Sequence, residues 1–219
     1  MIITFEKVTG IKWAGHGVTF LVACGHSATH WIIATIYIVL PFVTKELGLS
    51  YTEAGSLITI FHVSAFLANA GSGLIVDITG KRVTIQFCSL IIGGFGFILF
   101  ALSNNLVVLS IAMTIIGIAN NVWHPAAISY LSLRFPKNRG FALSIHSLGA
   151  NLGDTIAPVI VGALLMWISW ESAIGTASVP VFAIALWIAA SIKDMGPERT
   201  VKYPERISIT EYRQGISKM

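Results

Sequence analysis

The chain has 219 residues, 55% of them hydrophobic and only 11% charged, with a formal net charge of +4 and a pI near 9.2. Soluble domains carry about a quarter of their residues as Asp, Glu, Lys or Arg, so this composition excludes an ordinary water-soluble protein and points to a chain that lies in lipid. The positive balance calls for no nucleic acid, because basic loops gathered at one membrane face produce the same excess.

A helix needs about 20 apolar residues to cross roughly 30 Å of hydrocarbon. No Asp, Glu, Lys or Arg interrupts the sequence between Lys12 and Lys45, which predicts a first span over 17–43. It carries His26 and His30, four residues apart and therefore on one helix face. The charge-free interval from Glu53 to Asp77 predicts a second span over 54–76. The long interval from Arg82 to Arg134 holds two spans, 83–102 and 106–132, divided by Ser103, Asn104 and Asn105. The second of these carries Asn120, Asn121 and His124.

A fifth span is predicted over 140–168 and a sixth over 174–192. The fifth has small residues at Gly149, Gly153 and Ala157, a spacing that permits close backbone packing, and Pro158, which removes a helix hydrogen bond and favours a kink. Ser147, Asn151 and Asp154 share a face of that span, and Asp154 is the one acid at depth. Cys24 and Cys88 both fall in predicted spans, so no disulfide framework is expected. Residues 1–16 read as an N-terminal segment, and 193–219, with alternating charges, Pro197 and Pro204, as a tail or truncated central linker.

Lys and Arg concentrate in loops that stay cytoplasmic. An even number of spans puts both termini on one side, together with Lys81, Arg82, Arg134, Lys137 and Arg139, while only Lys45 of the 14 basic residues falls opposite. Both termini are therefore expected in the cytoplasm, in a multi-pass protein of the cell (inner) membrane.

The turn between the second and third spans reads Gly73-Leu74-Ile75-Val76-Asp77-Ile78-Thr79-Gly80-Lys81-Arg82. Gly73 would let a neighbouring helix approach, Gly80 permits a tight turn at positive φ, and Asp77 can accept hydrogen bonds from Arg or a helix N-terminus. This stretch resembles the cytoplasmic loop motif of the major facilitator superfamily, whose contacts latch the cytoplasmic side and break as two halves rock. Ile78 stands where that family commonly has a basic residue. The fifth span, from Arg139 through Gly149, Gly153 and Pro158, resembles the Gly/Pro motif of superfamily antiporters, with Ala157 where Gly is usual.

Across the chain, Gly25-His26-Ser27-Ala28-Thr29-His30, Asn120-Asn121-Val122-Trp123-His124-Pro125 and Leu148-Gly149-Ala150-Asn151-Leu152-Gly153 are similar to the N-terminal half of fosmidomycin-resistance-type efflux proteins. Relatives tend to carry Asp four residues after His30, where this chain has Ala34. The resemblance implies an all-α membrane protein, a major-facilitator-type half bundle of six helices with a 3+3 inverted repeat. His30-Trp31 and Trp123-His124 are a candidate trace of that repeat.

Polar groups at membrane depth are costly unless they face the bundle interior. His26, His30, Asn120, Asn121, His124, Asn151 and Asp154 are therefore the candidates for a substrate or proton cavity, and the resemblance implies that the first and fourth helices line it. His62 and His146 are weaker candidates, and His16 is placed at the interface. Gly73, Asp77, Gly80, Lys81, Arg82, Arg139, Gly149, Gly153 and Pro158 are the candidates for conformational gating. The expected partners are the lipid bilayer, a small-molecule substrate, a proton or counter-solute, and a second six-helix half supplied by a homodimer or another chain. No Walker loop supports ATP hydrolysis, and neither enzyme activity nor a cofactor or resident metal is expected. Two other readings stay open: a non-transporting remnant or assembly factor, and a haem- or metal-binding membrane redox protein built on the intramembrane histidines.

Overall fold

The computed structural model describes residues 6–7 and 9–195, so most of the tail predicted over 193–219 lies outside the described residues. Among the described residues six long helices make up the fold: α1 (Trp13–Glu46), α2 (Tyr51–Thr79), α3 (Arg82–Ala101), α4 (Leu106–Arg134), α5 (Arg139–Leu164) and α6 (Trp170–Ser191). A 3-10 turn, Pro136–Asn138, joins α4 to α5, and no strand occurs among the described residues. All six helices are long and apolar enough to cross a bilayer. The protein is an all-α membrane protein, as the charge-free intervals predict.

The helices run past the predicted span ends where backbone capping continues beyond the first charge. At the start of α2, Ser50 and Glu53 form a capping box: Ser50 Oγ accepts from Glu53 N at 3.2 Å, and a Glu53 carboxylate oxygen accepts from Ser50 N at 2.8 Å. Its other end closes on Gly80, whose φ of 63° lies in the left-handed region that glycine enters without a Cβ clash. Helix α6 begins at Trp170 rather than 174, because Ser169 caps it and Glu171 in its first turn complements the positive helix end. Conversely, α5 stops at Leu164, four residues short of the predicted 168.

Helix α1 packs along α5, α2 along α4, and α3 along both α4 and α6, while α1 also meets α6. Exchanging α1 with α4, α2 with α5 and α3 with α6 maps this set of pairs onto itself, swapping α1–α5 with α2–α4 and α3–α4 with α1–α6 and leaving α3–α6 in place. Each exchanged helix is three crossings from its counterpart and so runs in the opposite direction. That is the packing of an inverted three-helix repeat. The buried core follows the same pattern, with Val22, Ile36 and Val39 of α1, Leu57 of α2, Phe97 and Phe100 of α3, Met113 and Ile116 of α4, and Ile174 of α6 all out of contact with solvent.

Candidate functional site

Two close helix crossings position the polar residues at depth. On α5, a Cβ placed at Gly149 would lie 2.1 Å from the Ala23 carbonyl oxygen, and one at Gly153 would lie 2.3 Å from the Ser27 carbonyl oxygen. The backbones of α1 and α5 therefore touch through the small-residue stripe that the sequence displays, and Ala157 is fully buried at its continuation. On α1, a Cβ at Gly25 would meet the Trp123 ring of α4 at 2.1 Å. His26 and His124 follow these two residues, and the crossing sets their side chains against each other.

The histidines form one connected cluster near the middle of α1, α4 and α5. His26 is buried; its Nδ1–H donates to the His146 carbonyl oxygen at 2.8 Å, and its Nε2 lies 3.2 Å from His124 Nε2. His124 Nδ1–H donates in turn to the Asn120 carbonyl oxygen at 3.0 Å, and the Asn120 amide donates to the Thr29 carbonyl oxygen at 2.9 Å. His30 Nδ1 lies 3.0 Å from an Asp154 carboxylate oxygen, and that pair is partly open to solvent. Asn121 and Asn151 make no side-chain hydrogen bond among the described residues, with Asn121 half-buried and Asn151 exposed. Pro125 and Pro158 lack the N–H that would bond the carbonyls of Asn121 and Asp154 four residues earlier.

His146 belongs to the cluster, although the sequence ranks it as a weaker candidate. Its ring stacks on that of His26 with centroids 3.9 Å apart and planes 10° from parallel, and both ring nitrogens are buried without a partner among the described residues. Its spacing from Asp154, eight residues along the same helix, is the signal that could have found it. Two other histidines lie apart from the cluster: His62 pairs with the Tyr37 hydroxyl at 3.1 Å, and His16 with the Thr9 hydroxyl at 3.1 Å. On α1 the histidine facing His124 is His26, one turn before the His30 that the repeat pattern singles out.

The gating candidates divide. Gly80 makes the positive-φ turn. Gly73, expected to admit a neighbouring helix, is half-buried, and a Cβ built on it meets no other helix within 4 Å among the described residues. Asp77 is exposed and makes no hydrogen bond or ion pair among the described residues, so the expected contact with Arg or a helix N-terminus is not formed within this half. The helix N-terminus behind it is taken by another acid: Asp194, just beyond α6, accepts from the backbone N–H groups of Val83 and Thr84 and from the Thr84 hydroxyl. Arg82 does not point to water; it is 2% exposed, and its Nε donates to the Ser129 hydroxyl of α4 at 2.7 Å. Lys81 and Arg139 are exposed at the same end, and Pro158 lies on the outer face of an unbroken α5.

Helices that pack as an inverted repeat around polar groups at mid-depth define a secondary-transporter fold. The Major Facilitator Superfamily model matches residues 19–214, and the chain belongs to that superfamily. Among curated relatives it is similar to the galacturonate transporter of Dickeya chrysanthemi, with 25% identity over 76% of this chain and 48% of the relative. The hexuronate transporter of Escherichia coli K12 is 23% identical over 77% of this chain and 38% of the relative, and the fosmidomycin resistance protein of the same organism 21% identical over 68% and 36%. A solved bacterial homologue of the human lysosomal transporter Spinster, in an inward-facing, occupied conformation, superposes with a TM-score of 0.73 at 19% identity, covering 90% of this chain and 48% of that one. The chain thus spans less than half the length of these relatives.

Proposed function

We propose that this chain is one six-helix half of a secondary transporter that moves a small solute by efflux or exchange, driven by a proton or counter-solute gradient. The observation that carries the reading is the joined polar cluster of His26, His30, Asn120, His124 and Asp154, drawn from three helices at membrane depth, where unpaired polar groups are retained only at cost. Asp154 supplies from α5 a carboxylate beside His30, in place of the one that relatives carry a turn later at the position of Ala34.

The surface supports a second half. The outer face of α5 carries Ser144, Ser147, Asn151 and Thr155 in an exposed row, and a shallow groove of about 380 Å³ follows its first three turns. The outer face of α6 instead presents Val179, Leu186 and Trp187. Lipid suits the second face but not the polar row of the first, which runs beside exposed Leu148, Leu152 and Ile156, so that row faces protein or a water-filled cavity. A second copy of this chain, or another six-helix chain, covers it, with both termini and the Lys81 turn on the cytoplasmic side of the cell membrane.

The test is reconstitution of the purified chain in proteoliposomes, with a panel of solutes that includes galacturonate and fosmidomycin, with and without an ionophore that collapses the proton gradient. Gradient-dependent flux together with a crosslinked dimer is the expected result. Monomers alone and no flux with any solute would defeat the working half-transporter and leave a non-transporting remnant.

A further inference from the structure

We propose that His26, His30 and His124 form a site for one divalent first-row transition-metal ion of the zinc class. The argument starts from which ring nitrogens carry hydrogen. A carbonyl oxygen only accepts, so His26 and His124 each hold their proton on Nδ1, bonded to the His146 and Asn120 carbonyls respectively. His30 Nδ1 likewise faces a carboxylate oxygen of Asp154. In the neutral rings every Nε2 is then a lone pair, and two of these lone pairs face each other at 3.2 Å with no hydrogen between them. A cation between them, a proton or a metal ion, relieves that repulsion.

Three features favour a metal ion. Zn–N bonds of about 2.0–2.1 Å in tetrahedral geometry put neighbouring ligand nitrogens about 3.3 Å apart, close to the observed 3.2 Å. One ring nitrogen from each of the three histidines lies within 4.8 Å of the others, and two of the three are spaced four residues apart on one helix, a spacing that metal sites use. The remaining adjustment falls on His30, whose ring is partly exposed. Finally, each Nδ1–H is tied to an oxygen acceptor, two carbonyls and one carboxylate, which is how proteins orient metal-binding imidazoles and raise their basicity.

Asp154 also places negative charge one hydrogen bond from the His30 ring that would hold the ion. His146 adds an independent sign that the place is built for a guest: it is 3% exposed, stacked on His26, and has neither ring nitrogen satisfied among the described residues. Three protein ligands leave one of four coordination positions for water or an anionic solute oxygen. Among the described residues, Tyr37 and His62 pair with each other.

The test uses the complete chain without a histidine tag, purified in detergent and titrated with Zn²⁺ by calorimetry and with Co²⁺ by visible absorption. One ion per chain and the intense bands of tetrahedral cobalt, lost on adding Zn²⁺, are expected. His26→Gln and His124→Gln lower the affinity by about 100-fold or more, and Asp154→Asn, which touches only the outer shell, by about tenfold. His30→Gln leaves the buried pair in place and tests the site even where the other two variants fail to fold. No saturable binding, binding that His30→Gln and His124→Gln leave unchanged, or an octahedral cobalt spectrum would each overturn the proposal, as would proton uptake by the His26–His124 pair with no metal bound. Binding in detergent needs no transport, so an ion bound by a chain that moves no solute would sink the transporter reading and leave the site standing.

Discussion

Gly149 and Gly153 matter because α1 backbone occupies the space their side chains would need. With the Ala23 carbonyl 2.1 Å from a Cβ at 149, Gly149→Val must separate the two helices and should cost at least the roughly 1–3 kcal/mol typical of overpacking. Gly162 meets nothing within 4 Å of a Cβ built on it among the described residues, so Gly162→Ala should leave the melting temperature in detergent unchanged or slightly raised. Equal melting of the two variants would refute the close crossing. Asp154→Asn keeps the shape of the side chain but loses the charge-assisted bond to His30. Transport should fall about tenfold or more, with membrane insertion and elution profile unaltered; activity equal to wild type in a gradient-driven assay would remove Asp154 from the mechanism.

At the scale of elements, the α2–α3 end is held by contacts that join distant parts of the chain. Asp194 caps α3 from beyond α6, and Arg82 reaches Ser129 on α4. Asp194→Ala removes acceptors from two backbone N–H groups, so a loss of about 0.5–2 kcal/mol is expected, read as a lower melting temperature with faster exchange at the amides of Val83 and Thr84. Unchanged exchange there would mean that water caps α3 equally well. At the opposite end, Trp170 Nε1 donates to Glu46 at 2.8 Å and ties α6 to α1. The loop motif was legible as a turn, because Gly80 announces a positive φ. Its partners were not, since an acid in a charged segment more than a hundred residues away looks, in sequence, like part of a solvated tail.

At the scale of the whole molecule, α2 and α5 are the least buried helices, with 22% and 28% of their most apolar windows covered, against 50% for α3. These two exchange with each other in the inverted repeat, so their openness is a symmetric property of the bundle, and in the proposed assembly they are the two edges that meet the second half. With Cys24 and Cys88 replaced by Ser, a cysteine at Ser147 on α5 should crosslink to the second half in membranes, whereas one at Leu186 on the apolar face of α6 should not. The reverse pattern would put the interface elsewhere. In the proposed transporter, a latch formed by the exposed Asp77 would be made with the second half, and Asp77→Asn should alter transport while leaving the melting of this chain unchanged.

Composition and the spacing of charges determined that this is a membrane protein of six helices, because lipid forbids ionised groups along a crossing and demands a fixed length of apolar chain. The stripe at Gly149, Gly153 and Ala157 was visible for the same kind of reason, since helix period alone puts those positions in a row. Which polar groups meet was decided by tertiary structure. Helix period places His26 and His30 on one face but is silent on which helix lies opposite, and only the Gly25–Trp123 and Gly149–Ala23 crossings bring His124, His146 and Asp154 to them. Contacts between residues about a hundred positions apart depend on how whole helices pack, and no local pattern encodes that.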